Sequence, residues 1–167
     1  YEETHVVASC GTQAGRQYYL MAGENALLCA EVDRHGPLWQ EANGTLLDCS
    51  DGEPFQAGGC SRWPHGGQGT LELFGRIDDS SVARVEICQM RRDKWDGEMQ
   101  DYVYQTRCVY PVDELIEDGG RRYFLGTYRL DEKPRSDGEY DRFVLSAYDA
   151  AGERTAEYEI TNFSYWT

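Results

Sequence analysis

Thr70-Leu71-Glu72-Leu73-Phe74-Gly75-Arg76-Ile77 is a run of period two. Leu71, Leu73, Gly75 and Ile77 fall on one side of an extended chain, and Glu72, Phe74 and Arg76 on the other. That is the pattern of a β-strand with one face in a core. Asp78-Asp79-Ser80-Ser81 ends the run with four turn-forming side chains. The period resumes over residues 82–90, where Ala83, Val85 and Ile87 oppose Arg84, Glu86 and Cys88. The Asp-Gly step in Lys94-Trp95-Asp96-Gly97 signals a hairpin, and residues 99–110 supply its returning arm.

Outward from this hairpin the same grammar repeats. Residues 122–130 and 140–148 read as strands separated by a polar stretch, and Asp149-Ala150-Ala151-Gly152 turns the chain into residues 155–161. Residues 111–118, acidic with Pro111 at the start and Gly119-Gly120 at the stop, read as one or two helical turns. Toward the N-terminus, residues 5–10, 16–22 and 25–32 read as three short strands. Residues 38–40 and 45–48 read as a hairpin around Asn43-Gly44. Residues 50–68, rich in Gly and turn formers, make the internal boundary. No long stretch carries the 3.6-residue period of an amphipathic helix.

Strands at roughly 8–12-residue spacing with turns between them indicate a sandwich or barrel. The expected fold is all-β: an antiparallel β-sandwich with an immunoglobulin-like part over residues 68–167 and a β-meander over residues 1–60 packed on it. The 167 residues are expected to form a single compact unit.

Cys10, Cys29, Cys49, Cys60, Cys88 and Cys108 are even in number, dispersed, and form no C-x-x-C pair. Neither a zinc ribbon nor a thioredoxin-like redox pair is written here. Such a set predicts disulfides and an oxidising compartment, with Cys49–Cys60, Cys88–Cys108 and Cys10–Cys29 as one of the 15 pairings that six cysteines allow. The alternative is a cytosolic chain with six buried thiols packed as small apolar groups. A first residue Tyr1 in place of Met fits a removed signal peptide or N-terminal anchor.

Sixteen Lys and Arg against 30 Asp and Glu give a formal charge of -14. A field of that sign opposes nucleic-acid phosphates and anionic membrane surfaces. No apolar run approaches the ~20 residues of a membrane helix, so direct membrane insertion of this segment is not expected.

The stretch Gly75-Arg76-Ile77-Asp78-Asp79-Ser80-Ser81-Val82-Ala83-Arg84-Val85-Glu86-Ile87 resembles a pattern in uncharacterised extracytoplasmic proteins of Gram-positive bacteria. In those proteins a glycine-led strand, an Asp-containing turn and a Val-x-x-Val-Glu strand precede an aromatic-Asp-x-x-Gly hairpin. Tyr148-Asp149-Ala150-Ala151-Gly152-Glu153 stands in that last place, and Tyr123-Phe124-Leu125 in the intervening strand. The resemblance covers about the C-terminal 95 residues. It implies a β-sandwich at the cell surface or secreted, with no assigned activity and no transferable site residues. The spacing of Cys88 and Cys108 is too short for the inter-sheet disulfide of true immunoglobulin domains.

Candidate sites come from residue type alone. Trp39, Trp63 and Trp95 fall in or beside predicted turns, where a large ring either plugs the end of a sandwich or serves as a platform. A platform would take a glycan or an unknown protein partner, with His65 beside Trp63 as a polar contact. A hydrolase would need His35 or His65 next to a nucleophile and a carboxylate, and no G-x-S-x-G elbow is present. Cys49, Cys60 and His65 are zinc ligands by type but not by spacing. Acidic loops such as Asp137, Glu139 and Asp141 have the oxygen chemistry of a calcium site without a helix-loop-helix pattern; otherwise no cofactor is implied. Asn43-Gly44-Thr45 and Asn162-Phe163-Ser164 have the form of glycosylation sequons. The sequence favours a binding domain without catalytic activity.

Overall fold

Side-chain alternation punctuated by Gly- and Asp-led turns carries through to the folded chain. The computed structural model describes residues 3–12, 15–134 and 141–166. Every regular element among them is a strand: β1 (His5–Gly11), β2 (Gln17–Ala22), β3 (Ala26–His35), β4 (Leu38–Asp48), β5 (Phe55–Arg62), β6 (Thr70–Ile77), β7 (Arg84–Asp96), β8 (Asp101–Pro111), β9 (Ile116–Asp118), β10 (Arg121–Arg129), β11 (Asp141–Tyr148), β12 (Arg154–Glu159) and β13 (Asn162–Trp166). Three sheets result, in orders β1-β2-β3-β4, β13-β5-β6-β10-β9 and β12-β11-β7-β8. The fold is the all-β antiparallel sandwich that the strand spacing predicts.

Two compact units divide the chain. The first gathers Tyr1–Gly59, Glu72–Ser80 and Glu114–Thr127, and the second Cys60–Leu71, Ser81–Asp113 and Tyr128–Thr167. The residues of β5, β6 and β10 are shared out between them.

In the first unit, Tyr18, Leu20, Ala22, Leu27, Cys29 and Leu47 of β2, β3 and β4 pack on Phe74 of β6 and Tyr123 of β10. The face of β6 that reads as polar in sequence, Glu72-x-Phe74-x-Arg76, therefore meets a second layer. Buried Arg76 is held there by the carbonyls of Glu24 (3.3 Å) and Cys49 (3.4 Å) and by Asp78 at 2.9 Å. On the opposite face Gly75 leaves room for the Phe124 ring and the Gln56 carbonyl; a Cβ there would stand 2.5 and 2.7 Å from them.

In the second unit Val85, Ile87, Phe143, Leu145 and Ala147 form the inner face of the four-stranded sheet. Phe163 of β13 stacks on Phe143 at 4.2 Å and 10°, and Tyr128 of β10 packs on Tyr110 at 5.5 Å. The β7–β8 hairpin is longer than its sequence signal, running from Glu86 opposite Pro111 to Asp96 opposite Asp101. Asp96 Oδ1 accepts from the amides of Glu98 (2.9 Å) and Met99 (3.2 Å), which closes the turn.

Three local expectations are overturned. Residues 111–118 contain no helix: Ile116–Asp118 is a strand, and Gly119-Gly120, at φ 58° and 81°, makes the two-residue turn into β10. Both central residues of such a turn need positive φ, so Gly-Gly marks a hairpin here rather than a helix stop. Asn43-Gly44 is no hairpin either. It lies within β4, where Glu31 opposes Asn43 and Val32 opposes Glu41, leaving Ala42 as a bulge. The turn sits instead at Gly36-Pro37. The span 50–68 holds β5, whose residues Phe55–Ser61 are all buried. A strand covered on both faces loses its alternation, and its glycines then mimic a loop.

The disulfide framework is also corrected: Cys10, Cys29, Cys49, Cys60, Cys88 and Cys108 are all free thiols. Cys10 on β1 and Cys29 on β3 have β2 between them, about 9.5 Å at the usual strand spacing, beyond the ~7 Å Cα limit for a bridge. Cys88 opposes Val109, whereas Cys108 opposes Gln89, so these two side chains leave opposite faces of one sheet. The thiols of Cys49 and Cys60 lie against the carbonyls of Leu47 and Ser61, at 3.8 Å each.

Candidate functional site

Strand β11 pairs with β7 only from Arg84 to Arg91. Beyond that point Arg92–Asp96 and Asp101–Tyr104 pair with each other as the end of the hairpin, here called the ribbon. A bulge between Arg92 and Lys94 resets the register, so that Trp95 stands opposite Tyr102 and Arg92 opposite Tyr104. These four side chains share one face.

On that face rings and guanidinium groups alternate. Trp95 meets Tyr102 edge-on, with centroids 5.0 Å apart and planes at 74°. The Arg92 guanidinium lies 4.1 Å over the Tyr102 ring, and that of Arg142, on β11, lies 3.9 Å over Tyr104. Arg142 is also 3.5 Å from Glu159. An aromatic pair of this kind contributes about 0.5–1.5 kcal/mol and an exposed cation–π contact about 0.5–1 kcal/mol. The strip is thus ordered before any ligand arrives, while Trp95 keeps 52% of its surface in solvent. Met99, at the tip, is exposed as well.

The remaining sequence candidates do not join this strip. Trp95 lies in strand β7, not in a turn. Trp39 belongs to the first unit; it lies on β4 opposite Arg34 and is 55% exposed. Trp63 follows β5 and is half-buried, its ring lying where a Gly69 Cβ would be, and its amide donates to the Trp166 carbonyl at 2.9 Å. It acts as a plug. His65 is exposed in the Pro64–Gly67 turn, and His35 is exposed at the end of β3. His5, exposed on β1, pairs with half-buried Asp118 on β9. Sequence reading missed Arg92, Tyr102, Tyr104 and Arg142. The Tyr-x-Tyr spacing on β8 was a signal, but the pairing register that brings these residues together was not.

In the second unit a set of polar side chains pairs internally. Arg91 donates to Asp141 through Nε at 2.8 Å and Nη2 at 3.1 Å. Gln89, fully buried, donates to Asp141 at 2.8 Å and accepts from the Tyr110 hydroxyl at 3.0 Å. Glu132 receives both Arg91 (3.1 Å) and Arg107 (2.8 Å), whose hydrogen bonds hold its carboxyl below the usual range. Of the suggested calcium ligands, Asp141 is therefore committed to Arg91 and Gln89, and Asp137 and Glu139 lie outside the described residues. Among the described residues no three His, Cys, Asp or Glu side chains converge as metal ligands.

Two cysteines of the first unit, Cys29 and Cys10, are held as protonated thiols. Cys29 donates to Glu72 Oε1 at 3.0 Å, and burial followed by that carboxylate drives its pKa far up. Burial, with Glu72 adding to it, raises Cys10 to about 11. Neither is a nucleophile at neutral pH, since thiolate is the attacking species. No protein-family model, curated protein or solved structure matches the chain.

Proposed function

We propose that the chain is a binding domain without catalytic role, which engages a protein or glycan partner through the Trp95–Tyr102–Arg92 face of the β7–β8 ribbon. The carrying observation is a solvent-open indole held edge-on against Tyr102 across the β7–β8 ribbon. Flat rings with few torsions bind at low entropy cost and supply most hot-spot energy. An extracytoplasmic position belongs to the proposal through the resemblance of residues 75–87 alone, because free thiols remove the support that paired cysteines would give.

The test is a pair of arrays, one of glycans and one of peptides, probed with the chain and with its Trp95→Ala/Tyr102→Ala variant. Loss of a hot-spot ring costs about 2 kcal/mol or more, which is at least a tenfold weaker Kd. Equal retention of every ligand by the variant, or no ligand in either array, defeats the proposal.

A further inference from the structure

Strand β4 ends its sheet. One edge pairs with β3, and among the described residues no strand pairs with the other. Eleven residues is long for an edge, and natural edges are commonly guarded by Lys, Pro or shortness. The sequence Leu38-Trp39-Gln40-Glu41-Ala42-Asn43-Gly44-Thr45-Leu46-Leu47-Asp48 contains neither Lys nor Pro. Its guard is the single bulge at Ala42.

The register orders what this edge displays. Trp39, Glu41, Leu46 and Asp48 oppose Arg34, Val32, Leu28 and Ala26, which alternate along one face of β3. The solvent face of β4 thus reads apolar, acidic, apolar, acidic. Leu46 is 64% exposed, and Glu41 and Asp48 are exposed with it. The unit that carries β4 holds 15 of the chain's 30 acidic residues and only 5 of its 16 basic ones. Such a field raises the encounter rate of cationic partners and repels a second copy.

We propose that the free edge of β4 binds an extended basic segment of a protein partner by strand addition. Backbone hydrogen bonds to the edge supply affinity. The partner's Lys or Arg stands opposite Glu41 and Asp48, and its apolar side chains stand opposite Trp39 and Leu46. This surface belongs to the first unit and the Trp95 ribbon to the second.

The test titrates the full chain with a peptide of alternating Lys and Val, read by hydrogen exchange and by Kd. The proposal expects new protection confined to the amides of Leu38–Asp48. It also expects at least tenfold weaker binding for Glu41→Lys/Asp48→Lys, loss of binding when alternate peptide amides are N-methylated, and no change in Trp95→Ala/Tyr102→Ala. Equal binding of the N-methylated peptide would reduce the effect to charge alone and overturn the proposal. So would protection elsewhere, absence of binding, or concentration-dependent protection of β4 without peptide, which would assign the edge to a second copy.

Discussion

Replacing Gly75 by Ala adds one methyl group at the place where the chain is least able to receive it. The new Cβ would stand 2.5 Å from Phe124 Cε1, 2.7 Å from Phe124 Cζ and 2.7 Å from the Gln56 carbonyl oxygen, against an ordinary contact of 3.4–4 Å. The ring can shift only within a close-packed core, and the carbonyl belongs to buried strand β5. Overpacking costs about 1–3 kcal/mol, and a backbone obstacle that no rotamer relieves places this case near about 3 kcal/mol. At roughly 2–4 °C per kcal/mol for a chain of this size, Tm falls by roughly 6–12 °C. Urea unfolding followed by both circular dichroism and tryptophan fluorescence measures the loss. Gly97→Ala is the control: nothing lies within 4 Å of its added Cβ, so that change is within about 0.5 kcal/mol of neutral. Phe124→Leu in the Gly75→Ala background returns part of the loss, because only the ring half of the clash is removed. Equal stability of Gly75→Ala and Gly97→Ala would refute the packing of Phe124 over Gly75.

Asp141→Asn breaks the buried pair with Arg91 and destabilises by about 3 kcal/mol in urea unfolding, and adding Arg91→Met recovers part of that, since an unpartnered charge costs more than a missing pair. Cys10 and Cys29 have pKa values raised in the fold, so their contribution is complete below their ordinary value of 9.0 and is lost as pH rises, for Cys10 through about 11. Stability measured from pH 8 to 11 therefore falls with pH, and Cys10→Ala/Cys29→Ala flattens the slope; an unchanged slope contradicts the assignment. Alkylation of the denatured, unreduced protein followed by mass spectrometry finds six modified thiols, and any smaller number contradicts the free-cysteine structure.

Strands whose one face meets solvent were legible in the sequence. Residues 82–90 alternate because one face of β7 is buried and the other half-open, and its hairpin with residues 99–110 follows from Asp96-Gly97. Strand β6 was legible in position but not in surroundings. Glu72 and Arg76 read as solvent-facing, yet they lie against a second layer, where Glu72 accepts from the Cys29 thiol and Arg76 donates to two carbonyls and pairs with Asp78. Strand β5 was invisible for the complementary reason: covered on both faces, it needs small side chains, and Ala57-Gly58-Gly59 carries no period to read.

The candidate site divides in the same way. The sequence leaves Trp95 open between plug and platform; its exposure comes from the fold, and its partners depend on the Arg92/Lys94 bulge, which shifts the register by one residue. A one-residue shift exchanges faces, so no inspection of β7 alone pairs Trp95 with Tyr102. Asp141 illustrates the opposite error. An acidic residue in an acidic run suggests a cation site, and only the fold brings Arg91 and Gln89 onto its carboxylate.

The claim on which the functional account stands is that recognition takes place on the Trp95 face of the ribbon. Hydrogen exchange of the full chain, with and without a ligand retained on the arrays, locates that contact directly. The account predicts slowed exchange over Arg92–Asp96 and Asp101–Tyr104 with the rest of the four-stranded sheet unchanged. Protection that spares this ribbon and appears around Trp63 and His65 would contradict it.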